Sequence, residues 1–170
     1  PLDPISNYSD IRQAKSEADY AIVIVHGGHE FYNLPSPRIK STLRFFADAG
    51  ADAVVQHHAH CHSGYEIYNG TPIFYGLGNF LFDIPEKRDS TWNLGYAVEL
   101  TPGSDPSFRI LPYQQCNGEV GVKLLGGEQL NTFLENIKVI NEIIADDEAL
   151  GIEFGRYCAR VKKMYLSFLE

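Results

Sequence analysis

Apolar and polar positions alternate along the first third of this chain in a way that spells out a strand, a helix and a second strand. Ala21-Ile22-Val23-Ile24-Val25 is an unbroken apolar run, the pattern of a strand buried on both faces, and Gly27-Gly28 ends it. Ser36-Pro37 follows, a capping serine ahead of a proline at the first helical position. Ile39, Leu43 and Phe46 then fall on one helical face, and Gly50 suits a C-terminal stop. Ala53–Gln56 reads as the next strand, and upstream Ser9 is placed to cap a short helix to Ala18. A strand–helix–strand unit of this kind is right-handed, with its two strands parallel. Both strands therefore end at the same edge of the sheet.

Further on the rhythm changes. Tyr65–Tyr68, then Asn69-Gly70, then Ile73–Tyr75 predicts a hairpin, because Asn-Gly is the strongest short turn signal. Gly76-Leu77-Gly78-Asn79 is a glycine-rich loop ahead of Phe80-Leu81-Phe82-Asp83. Leu94–Leu100 and Phe108–Pro112 read as two more strands around the turn Pro102-Gly103-Ser104-Asp105. Leu130, Phe133, Leu134, Ile137, Ile140, Ile143 and Ile144 mark an amphipathic helix. Phe154, Tyr157, Cys158, Val161, Tyr165 and Phe168 mark a second one, and both read as packing elements. The expectation is one α/β domain over residues 1–170, with helices in 128–170 packed on it.

Composition narrows the function. With 44% apolar and 21% charged residues, the chain has the make-up of a soluble globular domain. A net charge of -8 without a basic stripe argues against nucleic-acid binding. No apolar stretch is long enough for a bilayer span and no signal peptide is evident. The opening Pro1-Leu2-Asp3-Pro4 lacks methionine, as expected of a processed form or a fragment. Cys61, Cys116 and Cys158 are an odd number at wide spacing, unlike a disulfide framework or a zinc finger.

The candidate chemistry lies in the histidines. Four of the six stand in Gln56-His57-His58-Ala59-His60-Cys61-His62, and the other two, His26 and His29, follow the first strand. Neutral imidazole is the commonest metal-binding side chain. Open α/β sheets bind ligands beyond the carboxyl ends of their strands, so the two groups can converge despite their separation in sequence. His26, His58 and His60 are the expected metal ligands. His29 and Glu30 are candidates for general acid, for substrate contacts, or for polar residues of an exposed loop. Asn79 could ligate metal, donate to a substrate oxyanion, or serve the turn. Asp83 could orient a histidine. Cys61, inside the cluster, could be a ligand or a bystander on the opposite face. Glu30 and Glu66 are the only carboxylates beside the clusters, so a bridging carboxylate of the kind two-metal hydrolytic sites need is missing from view.

Taken in order, His26-Gly27-Gly28-His29-Glu30, Asp48-Ala49-Gly50-Ala51-Asp52-Ala53-Val54-Val55, His58-Ala59-His60, Ile67-Tyr68, Pro72-Ile73-Phe74-Tyr75 and Leu77-Gly78-Asn79-Phe80 resemble the C-terminal half of the bacterial capsule-synthesis (CapA, poly-γ-glutamate biosynthesis) family. That family is similar to the calcineurin-like metallophosphoesterases. The resemblance runs from about Ala14 to Asp83. It implies a layered α/β/β/α sandwich, of which this chain supplies the C-terminal part, around a dinuclear centre of divalent ions (Zn, Mn, Fe or Ni). On it His26 matches the lone metal-binding histidine, His58 and His60 the pair split between two metals, Glu30 the family's glutamate, and Asn79 its Gly-Asn-Phe element. The chain departs from the pattern at Gly27, Gln56, Ala59 and Gly76, where the family has Trp, Gly, Pro and Ser. The family's earlier Gly-Asp, Asp/Asn and Asn-Asn-His motifs, the source of the bridging carboxylate, belong to an N-terminal half not matched here.

Two functions follow as expectations. One is a metal-dependent, phosphoesterase-like protein of capsule or poly-γ-glutamate biosynthesis, with metal-activated water as nucleophile and an anionic polymer or phosphoester as substrate. The other is a non-catalytic envelope protein that keeps a degenerate metal site for binding polymer or partners. Both imply the bacterial cell envelope, with anchoring through a segment outside this chain, though a cytoplasmic location also fits the sequence.

Overall fold

The strand carrying His26 and the strand carrying His57 lie side by side, parallel and in register, so that these two histidines are neighbours across the ladder. The computed structural model describes residues 3–88, 90–103, 107–116 and 118–166, with side chains up to residue 162. Its first helix, α1 (Pro4–Glu17), is capped by Asp3, whose side chain accepts from the Ile5 N–H. The helix thus begins ahead of Ser9, because an earlier Asp-Pro pair supplies both the cap and the first helical residue. Strand β1 (Ile22–His26), helix α2 (Pro37–Asp48) and strand β2 (Ala53–His57) form the expected unit, and the Ser36 hydroxyl accepts from the Ile39 N–H. β3 (Tyr65–Tyr68) and β4 (Thr71–Phe74) make the hairpin. Asn69 (φ 49°) and Gly70 (φ 86°) take the left-handed backbone that a two-residue turn requires.

These four strands are ordered β1-β2-β4-β3, with β4 parallel to β2. The chain leaving β4 therefore emerges at the same edge as His26 and His57. A second, antiparallel sheet follows: β5 (Leu94–Thr101), β6 (Ser107–Gln115) and β7 (Val122–Leu124). Of the turn expected between β5 and β6, Ser104 and Asp105 lie outside the described residues. Helices α3 (Gly127–Ala145) and α4 (Asp147–Leu166) close the chain. Phe168 lies outside the described residues, as does the side chain of Tyr165.

Alternation along the first sheet sorts its two faces. Val54 and Ile73 join Leu43, Phe46 and Ile11 beneath α1 and α2, while Val55 and Phe74 face Tyr96 of the second sheet. The chain is α/β, with helices on one face of the central sheet and a second sheet on the other. α3 runs along the flank of β3 and serves both layers. Phe133 and Ile137 enter the inter-sheet cluster, and Ile140 and Ile144 enter the helix-side cluster with Leu150 of α4.

Two departures matter. β1 is not buried on both faces. Ile24 lies beside Val55 in the ladder and faces the same way, but β1 is the sheet's edge and none of its residues joins the inter-sheet cluster. Ile22 and Ile24 are accordingly 48% and 71% exposed. Lys40, one residue from the apolar stripe of α2, is 3% exposed. Its ammonium donates to the Ile144 carbonyl and to Asp147 (2.7 Å), tying α2 to the junction of α3 and α4.

Candidate metal centre

Past β1 and β2 the ladder continues for one more bond, from the Gly27 N–H to the His57 carbonyl (3.0 Å), before the loops separate. The Phe31 N–H then donates to the Ala59 carbonyl (2.8 Å) and pins the two loops together. Three of the five described non-glycine residues at positive φ gather at this point: Phe31 (57°), His58 (119°) and His60 (57°). Such conformations cost on the order of 1–3 kcal/mol each and persist where the surroundings enforce them, as they do at functional sites. Ala59 and Cys61 are buried between them, which turns the His58 and His60 rings to the open side.

The result is a row of imidazoles. The His26 and His58 ring centroids are 5.1 Å apart and those of His58 and His60 are 6.1 Å apart. His57 is the cross-strand neighbour of His26; burial first, and the neighbouring His26 second, hold its pKa below the ordinary 6.5. Its neutral state is the ligand state. Glu30 is exposed, with a carboxylate oxygen 4.0 Å from His58 Nε2.

His60 is the most firmly held of the row. Asn79, 7% exposed, donates its Nδ2 to the His60 carbonyl and the Trp92 carbonyl, both at 3.2 Å. Carbonyls only accept, so these two partners fix the amide's orientation and leave its oxygen facing His60 Nδ1 at 2.8 Å. Nδ1 must therefore carry the proton, and neutral His60 presents Nε2 as a free lone pair. This is how a neighbouring group sets the tautomer of a ligating histidine. On its face His60 stacks with Trp92 (5.1 Å, 28°), and Phe82 meets it edge-on at 5.5 Å.

The other candidates lie elsewhere. The His29 ring packs on Phe154 and Tyr157 of α4 (5.4 Å each) and on Tyr32. The Asp83 carboxylate is taken by Arg88, which holds its pKa below the usual range. Glu66 is engaged by Arg44 (2.9 and 2.6 Å) and by the Tyr75 hydroxyl (2.5 Å) on the hairpin. Cys61 is buried, and burial pushes its thiol up to about 12, away from the thiolate that metals bind. His62 faces inward instead, bonded to Asn136 of α3 (3.2 Å), and burial lowers its pKa. The aromatic wall of Phe31, Phe82 and Trp92 around His60 had no signal in sequence beyond the presence of a single tryptophan.

Among the described residues no group of three or more His, Cys, Asp and Glu side chains is close enough together to hold an ion. The donor chemistry suits a borderline divalent metal on one side: imidazole rings, one with its Nε2 freed by a fixed tautomer. The carboxylates needed on the other side are not among these residues. The imidazoles thus fit the edge of a metal centre and do not close one by themselves.

Residues 3–84 match the model of a family described as bacterial capsule synthesis protein PGA_cap. The chain is 47% identical over 83 residues to the PGA biosynthesis protein CapA of Bacillus subtilis, a match covering 49% of this chain and 22% of that protein. It is 45% identical over 82 residues to the capsule biosynthesis protein CapA of Bacillus anthracis, covering 48% and 20%. A probable polyglutamine synthesis accessory protein of Mycobacterium tuberculosis is 36% identical over 105 residues, covering 58% and 28%. The chain thus spans about a fifth of the length of the two Bacillus relatives. His26, His58, His60 and Asn79 all lie within the matched stretch.

Proposed function

We propose, from the match of residues 3–84 to the family described as bacterial capsule synthesis protein PGA_cap, that His26, His58 and His60 are the imidazole side of a metal-dependent, phosphoesterase-like centre that serves envelope-polymer synthesis. That family has the metallophosphoesterase-like fold. The observation that carries the reading is the His60–Asn79 pair, which costs a buried amide to expose one ring nitrogen at the strand edge where His26 and His58 also emerge.

In this reading His26, His58 and His60 would hold divalent ions jointly with donors that are not among the described residues. When bound, such ions supply Lewis-acid polarisation of a phosphoryl oxygen and acidify a water. The chain's own residues do the rest. Asn79 orients His60. Glu30, exposed and 4.0 Å from His58, or His29, packed on α4, would protonate the leaving group. The substrate class is an anionic polymer or a phosphoester, and the setting is the cell envelope. Among the described residues no helix is long and apolar enough to cross a membrane.

A second reading, a non-catalytic envelope protein with a degenerate site, is favoured by the lack of any closed ligand group among the described residues. Elemental mass spectrometry separates the two. The full-length protein, as its gene encodes it, is compared with its His58→Ala/His60→Ala variant. Near-stoichiometric metal, lost in the variant together with phosphodiesterase turnover, supports the enzyme. A protein that stays metal-free after loading with Zn or Mn refutes it and leaves the binding protein.

A further inference from the structure

Lys87 stands out among the cations near the histidine row. Its Nζ lies 4.1 Å from the Trp92 ring centroid and 4.5 Å from that of Phe31, well inside cation–π range. Its neighbour Arg88 is neutralised by Asp83, whereas no carboxylate is paired with Lys87 among the described residues. The same Trp92 ring stacks on His60, and Phe31 lies 6.3 Å from it. One aromatic wall therefore carries a candidate metal ligand and an unpaired ammonium.

That wall is built, not draped. Trp92 is 5% exposed, its indole N–H donates to the Phe82 carbonyl (2.7 Å), and its own carbonyl receives the amides of Asn79 and Gln115. Phe31 is held at positive φ by its bond to Ala59. The turn carrying Lys87 is fastened by its N–H to the Ile84 carbonyl (2.8 Å) and by the Asp83–Arg88 pair. Yet Phe31 is 56% and Phe82 47% exposed, so the wall leaves apolar surface open beside its charge. In a chain of net charge -8, an oriented, unpaired cation at this spot is a local attractor for anions. Lys87 and Trp92 lie past residue 84, where the family match stops.

We propose that Lys87, Trp92 and Phe31 form an oxyanion subsite adjoining His60: the ammonium takes a carboxylate or phosphate of the ligand while the Phe31 face carries the aliphatic stem beside it. Calling that ligand the substrate rests on the hydrolase reading above; the subsite itself does not. Trp92 is the sole tryptophan, so its fluorescence in the whole chain reports on this place directly. The chain, kept in chelator, is titrated with a glutamate oligomer, with a glutamine oligomer of equal length, and with inorganic phosphate. A saturable change with the glutamate oligomer or phosphate, about tenfold weaker in Lys87→Gln, retained in Lys87→Arg and weakened by salt, supports the subsite, and the tighter anion names its source. Equal affinity of Lys87→Gln, equal binding of the glutamine oligomer, or no response to either anion overturns it. Metal content of the His26→Ala variant is followed in parallel. If metal binding proves absent while Lys87-dependent anion binding persists, the hydrolase reading falls and the subsite stands. If metal binds but Lys87→Gln changes nothing, the reverse holds.

Discussion

Asn79→Ala tests whether the histidine row is oriented by design. The amide makes three hydrogen bonds, at 2.8, 3.2 and 3.2 Å, in a place that is 7% exposed. A buried hydrogen bond contributes about 1 kcal/mol net, with more lost when its partner is stranded. The Trp92 carbonyl keeps the Gln115 amide, so the loss falls on His60, and about 2 kcal/mol is expected. For a chain of this size that lowers Tm by roughly 4–8 °C. The sharper readout is the His60 tautomer. Nitrogen-15 shifts of the neutral ring should show the proton on Nδ1 in the parent chain and its release to Nε2 in Asn79→Ala. Asn79→Asp keeps an acceptor for Nδ1 but loses both donors; it should hold the tautomer and still lower Tm. An Nε2-protonated ring in the parent chain, or an unchanged tautomer in Asn79→Ala, would refute the assignment.

Other expectations can be checked on the same protein. Gly78→Ala should cost about 2–4 kcal/mol by urea denaturation, since φ is +84° and a Cβ would sit 2.6 Å from the Leu94 carbonyl oxygen; Gly70→Ala, at φ +86° with open space around it, should cost only about 1 kcal/mol. Burial holds His62 and His57 below the ordinary 6.5, so both take up protons at lower pH in the fold than in the unfolded chain, which takes them up from about pH 6.5 downward. Their contribution is fully present above pH 6.5 and is lost as pH falls; circular-dichroism melts from pH 7.5 to 5 should show this, and His62→Gln should flatten the slope. Lys40→Met keeps the aliphatic stem but drops the tie to Ile144 and Asp147; hydrogen exchange should loosen at the α3–α4 junction, with Tm lower by roughly 2–4 °C.

The β-α-β unit was readable because each of its signals is local: an apolar run, a Ser-Pro start, a stripe at helical spacing. The Asn-Gly hairpin was readable for the same reason. β7 is only three residues, all exposed, and carries too few apolar positions to announce itself. Burial of β1 was misread because strand order decides it. Ile22 and Ile24 look like core in sequence and lie open because β1 is the sheet's edge and stays outside the inter-sheet cluster. The convergence of His26, His58 and His60 followed from parallel topology, but the role of Asn79 as the clamp on His60 needed coordinates, since turn, ligand and oxyanion donor read alike in sequence. Lys40 and Lys87 were invisible as candidates because a lysine's meaning lies in what it reaches: a carbonyl across the helix layer in one case, two ring faces in the other.

Among the described residues no strand pairs with the outer edge of β1, and this has a consequence for assembly. Its outward N–H and C=O groups, with Ile22 and Ile24 beside them, are a ready template for another strand. A strand added there in the parallel sense would end next to His26, and the side chains that follow it would enter the histidine row directly. The same backbone hydrogen bonds that extend the sheet would then deliver new donors to the centre, so sheet completion and ligand completion would be one event.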